Sequence, residues 1–183
     1  MVAIVDAVAS GELPDCEAAV VISDKPDAAG LAKARERGVK TVVVERKGRK
    51  RIDHDAEIIG ELKARGVDLV CLAGYMRLLS PSFIQAFPGR IINIHPSLLP
   101  AFPGLDAQRQ ALEHGAASSG CTVHYVDEFL DHGEVILQRQ VDVNLDDTVE
   151  TLSSRILEQE HQLYIEALKL VVRKTSGAAT GKN

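Results

Sequence analysis

The feature that most constrains the fold is residues 90–104, RIINIHPSLLPAFPG, where a short apolar run meets a loop rich in proline and glycine. Such a run predicts a buried strand followed by a rigid loop. Side chains alternate along a strand, so Asn93 and His95 are expected on one face, at its carboxyl end. Ligands of open α/β sheets bind at the carboxyl ends of strands, which makes this pair a candidate site. The alternative is that both are ordinary buried polar groups with satisfied hydrogen bonds.

Strands and helices alternate along the chain at the spacing of βαβ units, which predicts an α/β fold with a mostly parallel sheet. The expected strands are 17–22, 41–44, 69–73, the strand that holds Asn93 and His95, 122–126 and 135–141. The last two are expected to be antiparallel and to lie near one edge of the sheet. The expected helices are 1–10, 28–37, 53–65, a short one from Pro81, 107–114, and a long one capped by Asp147 or Thr148. The first of these has no capping residue before it.

Size and charge narrow the classes of protein that are possible. The 183 residues are expected to form one domain, 1–174, with a small polar tail at 175–183 that is predicted to be disordered. A net charge of -5 at pH 7 argues against a general affinity for nucleic acid or for anionic membranes. The three cysteines form no CxxC pair and there is no HExxH pattern, so we expect no metal and buried free thiols in a reducing cytoplasm.

An acidic loop, DEFLDHGE at residues 127–134, joins the last two strands. By itself it is typical of a solvated turn. If one of its carboxylates lies near His95, it would hold one imidazole nitrogen and favour the charged ring, which would then serve as a general acid. Asn93 would then offer an N–H to a developing oxyanion.

Four motifs together resemble the glycinamide ribonucleotide formyltransferases of purine synthesis, and the resemblance covers nearly the whole chain. They are LAGYMRLLSPSF, INIHPSLLP with FPG and LDAQRQAL behind it, GCTVHYVDEFLDHGEVI, and RILEQEH. Relatives that formylate initiator tRNA or hydrolyse formyl-folate share the Asn-x-His and Asp elements. The resemblance implies a three-layer Rossmann-like formyltransferase fold.

The resemblance also implies the chemistry: a formyl group moves from 10-formyltetrahydrofolate to the amine of glycinamide ribonucleotide. His95 would be the proton donor, Asn93 would bind the formyl oxygen, and Asp131 would set the protonation of His95 and position a proton-carrying water. Glu160 would bind the ribose. The implied folate-binding residues are Arg51, Met76, Arg77, Leu78, Leu79, Asn93, Asp127, Glu128, Phe129, Leu130 and Asp131. The expected partners are small molecules, with no nucleic acid or membrane, and the expected state is a monomer or homodimer.

The chain departs from that family at its start. The family opens with a strand and a glycine-rich loop that binds the substrate phosphate at a helix N-terminus. Met1 aligns inside the first helix, so the first strand and the phosphate loop are expected to be missing from this chain. Two alternatives stay open: a fragment that binds folate but is catalytically impaired, and a formyltetrahydrofolate hydrolase-like enzyme in which water replaces the amine. Formylation of tRNA fits the acidic composition poorly.

Overall fold

The structure is a computed structural model that describes the backbone of residues 1–180 and the side chains of residues 1–174. Its elements follow the alternation predicted from the sequence. They are α1 (Val2–Ala9), β1 (Val21–Ser23), α2 (Ala29–Glu36), β2 (Thr41–Val43), α3 (Arg51–Ala64), β3 (Val70–Cys71), α4 (Pro81–Ala86), β4 (Ile91–His95), α5 (Ala107–Glu113), β5 (Ser118–Tyr125), β6 (Val135–Asp142) and α6 (Val149–Thr180).

The chain forms two compact units, and the first comprises Met1–Ile92 with Val126–Phe129. Within it β1 pairs in parallel with β2, and β3 pairs in parallel with the first residues of β4. Parallel neighbours joined by helices are what the βαβ reading predicted. The apolar core of this unit consists of Val44, Ile58, Leu62, Val70, Leu79, Phe83, Phe87 and Ile91.

The second unit comprises Asn93–Tyr125 with Leu130–Asn183. Here β5 and β6 are antiparallel, as predicted, and the order β3-β4-β5-β6 leaves β6 at the edge of its sheet. The long helix α6 is capped by Thr148, whose Oγ1 accepts the Thr151 N–H at 3.2 Å. Asp147 strengthens this start by accepting from Arg155 Nη1 at 2.8 Å. The buried apolar side chains of α6 recur at helical spacing: Leu152, Ile156, Leu163, Ala167, Leu168 and Val171.

Some boundaries differ from the prediction. β1 begins at Val21 rather than at residue 17, and β1 with β2 forms a sheet separate from the four-stranded one. α3 begins at Arg51 rather than at residue 53, after Lys50 in an extended conformation. The helix α6 is described as far as Thr180; the predicted disordered tail stays a prediction, because residues 181–183 lie outside the described part of the chain.

Two further expectations concern the cysteines and membrane-spanning helices. None of the three cysteines forms a disulfide, but only Cys121 is buried, whereas Cys16 and Cys71 are half-buried. Among the described residues, none of the helices has both the length and the apolar character that a membrane span requires.

Candidate active site

The strand β4 brings Asn93 and His95 to the end of the sheet in the way the sequence predicted. Ile91 and Ile92 anchor its first half in the core, and His95 ends the strand with only 5% of its surface exposed. Pro96 follows immediately, so the chain leaves the sheet at this point. Both polar side chains are hydrogen-bonded to protein groups, and they form a cluster with Asp131 and His124 in the second unit.

Both ring nitrogens of His95 face protein acceptors. Nε2 lies 2.9 Å from the carbonyl oxygen of Phe102. Because a carbonyl oxygen only accepts, Nε2 carries a hydrogen and donates it. Nδ1 lies 3.3 Å from Asp131 Oδ2, a separation longer than the 2.7–2.9 Å typical of a tight charge-assisted bond. The ring orientation is therefore fixed from the Nε2 side, while the Nδ1 side has a looser contact.

Asn93 is oriented by a second histidine. His124 Nδ1 lies 2.8 Å from the Tyr125 carbonyl oxygen and must donate to it, which leaves Nε2 as the acceptor. The Asn93 amide nitrogen lies 3.3 Å from that Nε2 and donates one of its two hydrogens there. Asp131 Oδ1 is 3.8 Å from the same Nε2, too far for a hydrogen bond. The second amide hydrogen of Asn93 is thus left to serve another acceptor.

Asp131 reaches this cluster through an unusual backbone conformation. Its φ of 48° lies in the left-handed region, which aspartate tolerates better than most residues because its short polar side chain bonds locally. Its Oδ2 accepts the Gly104 N–H at 2.9 Å, so the carboxylate is held from the loop that follows β4. The side chain is only 9% exposed, which strengthens its electrostatic effect on His95.

The loop after β4 is braced by polar side chains of β5 and β6. Thr122 Oγ1 donates to the Ser97 carbonyl at 2.7 Å and accepts the Leu99 N–H at 3.1 Å. Gln138 Nε2 donates to both Thr122 Oγ1 and the Leu99 carbonyl, at 2.9 and 2.8 Å. This network fixes the start of the loop that carries the Phe102 carbonyl to His95.

The predicted site residues divide between the two units. Asn93, His95 and Asp131 form one cluster, as expected. Leu130, which lies against Gly104, and Glu160 on α6 belong to the same unit. The remaining predicted residues belong to the first unit: Arg51, Met76, Arg77, Leu78, Leu79, Asp127, Glu128 and Phe129. Their roles stay predictions.

The acidic loop and Arg51 are largely exposed. Phe129 has 67% of its surface exposed, and its N–H is bonded to Asp127 Oδ1 at 2.9 Å, which fixes a tight local turn. Arg51 precedes the helix expected over 53–65, but it lies in the first turn of α3 with an exposed side chain. Among the described residues, no group of three or more His, Cys, Asp or Glu side chains is arranged to hold a metal ion.

Glu160 stands out electrostatically. Burial raises its pKa from 4.5 to about 7, because a carboxylate loses its hydration when it is removed from water. In the described part of the chain it has no hydrogen bond or ion pair with His95, Asn93 or Asp131. Its perturbed ionisation makes it a candidate for contact with a polar ligand.

Sequence reasoning missed His124. The signal was present, because Thr122 and His124 are two residues apart on a strand, as Asn93 and His95 are on β4. Both are almost fully buried, at 0% and 2% exposure. The same alternation argument would have placed them on one face.

Comparison with known proteins gives a consistent result. A sequence model described as formyl transferase matches residues 1–168. The trifunctional purine biosynthetic protein adenosine-3 of Homo sapiens is 48% identical over 157 residues, which cover 85% of this chain and 16% of that protein. The phosphoribosylglycinamide formyltransferase of Bacillus subtilis is 42% identical over 156 residues, covering 85% of this chain and 80% of that enzyme. The chain spans between 11% and 16% of the length of the trifunctional relatives.

Solved structures agree. The crystal structure of glycinamide ribonucleotide transformylase 1 from Symbiobacterium toebii is 52% identical, with a TM-score of 0.92 over 94% of this chain and 82% of that one. That of phosphoribosylglycinamide formyltransferase from Bacillus halodurans is 41% identical, with a TM-score of 0.90 over 94% and 89%. These matches confirm the Rossmann-like fold class expected from the sequence.

Proposed function

The chain belongs to the formyl transferase family, and we propose that it transfers a formyl group from 10-formyltetrahydrofolate to the primary amine of glycinamide ribonucleotide in purine biosynthesis. The observation that carries this proposal is the buried cluster of Asn93, His95, Asp131 and His124. It combines an amide donor, a titratable ring and a carboxylate, which acyl transfer to an amine requires.

The amine attacks the formyl carbon, and the carbonyl electron pair moves to oxygen to give a tetrahedral oxyanion. The free amide hydrogen of Asn93 stabilises that oxygen. His124 contributes indirectly, since it holds the other amide hydrogen at 3.3 Å and so prevents rotation of the amide. Donors fixed before the reaction need no reorganisation when the charge develops.

His95 supplies the second interaction with the oxyanion. Its Nε2–H stays bonded to the Phe102 carbonyl, so the proton available for the substrate is the one on Nδ1. Because the contact between Nδ1 and Asp131 is long, at 3.3 Å, Nδ1–H can also be shared with the substrate oxygen while the carboxylate remains close. Asp131 stabilises the doubly protonated ring and positions a water that carries the proton. Overall, one proton leaves the amine and one arrives at N10 of the folate as the C–N10 bond breaks.

The formyl donor is held by the residues that the family resemblance implies, in particular the loops around residues 76–79 and 127–131. Support comes from the backbone of residues 75–79, which forms no backbone–backbone hydrogen bond among the described residues. Its N–H and C=O groups are available to the edge of a pterin ring. Met76 and Leu78 offer exposed apolar side chains beside them.

The test is a reaction of the purified chain with 10-formyltetrahydrofolate and glycinamide ribonucleotide, followed by mass spectrometry of the formylated nucleotide. Formation of one formyl-nucleotide per tetrahydrofolate is expected, and the variant His95→Asn should slow it by about two to four orders of magnitude. A donor that is consumed only with release of formate would indicate a hydrolase. Binding of the donor without turnover of either kind would indicate a folate-binding fragment, and both results would contradict the proposal.

A further inference from the structure

The helix α3 buries two polar side chains that the cluster around His95 does not use. His54 and Asp55 are 1% and 0% exposed. Burying an imidazole and a carboxylate is costly unless each is hydrogen-bonded, so their contacts indicate what they do. All of these contacts lie within the first unit, and they lead to one segment, residues 75–80.

Asp55 holds the end of this segment. Its Oδ2 accepts the Ser80 N–H at 2.7 Å. Ser80 is the N-cap of α4, and its Oγ accepts the Phe83 N–H at 3.4 Å, so Asp55 fixes the residue at which the segment becomes a helix. A hydrogen bond to a carboxylate is about twice as strong as a neutral one.

Asp55 also acts on the start of the segment. Its second oxygen and the Tyr75 hydroxyl are both buried and have no hydrogen-bond partner among the described residues. Burial and, as the next largest cause, the charge of Asp55 raise the pKa of Tyr75 to about 12. The hydroxyl is thus neutral and able to donate to the carboxylate.

His54 holds the middle of the segment, at Arg77. Its Nε2 donates to the Val44 carbonyl at 2.8 Å, at the end of β2, which fixes the ring. Nδ1 is then an acceptor, and Arg77 Nη1 lies 3.4 Å from it. The neighbouring Asp55 Oδ1, at 3.7 Å, is beyond hydrogen-bond distance. His54 therefore connects Arg77 to the sheet.

Side chains of the segment alternate in exposure. Tyr75 and Arg77 are half-buried and Leu79 is buried in the core, whereas Met76 and Leu78 are 74% and 43% exposed. A segment anchored through alternate side chains keeps its other side chains toward solvent. This is the arrangement in which its unpaired backbone groups remain accessible.

We infer that His54 and Asp55 are positioning residues that hold residues 75–80 in the shape that recognises the formyl donor. The inference rests on the proposed function, because that function makes this segment part of the folate site. Neither residue touches the reacting atoms. Their loss should therefore weaken donor binding while leaving the formyl-transfer step almost unchanged.

The experiment compares Asp55→Ala and His54→Leu with the wild-type chain. The KM for 10-formyltetrahydrofolate should rise about tenfold or more, whereas kcat and the KM for the nucleotide should stay within about threefold. In Asp55→Ala, hydrogen–deuterium exchange without ligand should accelerate by about tenfold or more at the Ser80 amide, because the carboxylate that accepts its hydrogen is gone.

Conservative variants and a matched control separate positioning from simple destabilisation. His54→Gln keeps one donor and one acceptor and should restore KM to within about threefold of wild type. Asp53→Ala removes an exposed carboxylate from the same helix and should change neither KM nor exchange. If Asp55→Ala fails to fold, Asp55→Asn, which keeps the size and an acceptor oxygen, should still raise the donor KM about threefold to tenfold.

Folded variants with wild-type donor KM and wild-type exchange at the Ser80 amide would overturn the inference. Variants that melt at a lower temperature and contain less active enzyme, but have an unchanged KM for every substrate, would also overturn it, because they would show destabilisation alone. A wild-type chain that neither binds nor uses the donor would refute the proposed function instead. The exchange rate of the Ser80 amide in unliganded Asp55→Ala would in that case still decide whether Asp55 holds the segment.

Discussion

Replacing Glu160 with glutamine should make the folded protein more stable above neutral pH and at the same time weaken its binding of the nucleotide. Burial raises the pKa of Glu160 from 4.5 to about 7, so the folded state penalises the ionised carboxylate. Glutamine has nearly the same size and carries no charge, so the variant removes the penalty without opening a cavity.

The sign of the effect follows from proton binding in the two states. Below about pH 4.5 the carboxyl is protonated whether the chain is folded or unfolded, and it contributes no pH-dependent difference. Between about pH 4.5 and 7 the unfolded state ionises first, so wild-type stability falls. At about 1.4 kcal/mol per pH unit, the ionised carboxylate would lower the free energy of unfolding by about 3 kcal/mol if it were fully shielded from water. Because the side chain is only half-buried, solvent screening reduces this loss to about 1–2 kcal/mol.

The assay is urea unfolding of the wild type and Glu160→Gln at intervals from pH 4.5 to pH 8.5. The difference in unfolding free energy should grow in favour of the variant up to about pH 7 and then level off. Glu158→Gln is the control, since Glu158 is exposed two residues away on α6 and should give no such profile. A constant difference across the range, or one that favours the wild type at high pH, would refute the burial argument.

Although Glu160→Gln should stabilise the fold, it should weaken binding of the nucleotide. If Glu160 binds the ribose, as the family resemblance implies, Glu160→Gln should raise the KM for glycinamide ribonucleotide about tenfold, because a hydrogen bond to a charged group is lost. The KM for the folate donor should hardly change. A stabilised variant with an unaltered nucleotide KM would remove Glu160 from the binding site but leave the stability argument intact.

Three other perturbations have defined outcomes. His95→Asn and Asp131→Asn should each lower kcat by about two to four orders of magnitude in the formyl-transfer assay, and near-normal turnover in either would contradict the mechanism. Gly120→Ala should cost about 2–3 kcal/mol or more in urea unfolding, because the added Cβ would collide with the Arg139 carbonyl oxygen of the paired strand. Arg155 beside Asp147 lowers the pKa of that carboxyl, so Asp147→Asn should reduce stability at neutral pH. The difference from wild type should shrink as the pH falls from the usual aspartate range toward the lowered pKa, and a difference that does not shrink in acid would exclude the ion pair as its cause.

Much of the local structure could be predicted from the sequence. Apolar runs, glycines and prolines set most helices and strands to within a few residues, since these signals act through neighbours along the chain. The shared face of Asn93 and His95 followed from the period of a strand alone. The largest errors in an element start concerned β1, which begins four residues later than expected, at Val21, and β5, which begins four residues earlier, at Ser118.

Contacts between residues distant in sequence were decided by the tertiary structure. The sequence did not decide whether a carboxylate of the acidic loop reaches His95, because the 3.3 Å contact with Asp131 depends on the pairing of β5 with β6. Alternation along a strand could place His124 on a face, but it could not identify Asn93, 31 positions away, as its partner. The hydrogen bonds of His54 and Asp55 to residues 75–80 likewise could not be inferred from the sequence. Periodicity assigns a side chain to a face, but the packing of elements chooses its partner and its exposure to water. The raised pKa of Glu160 is likewise a property of its burial, which the folded chain alone determines.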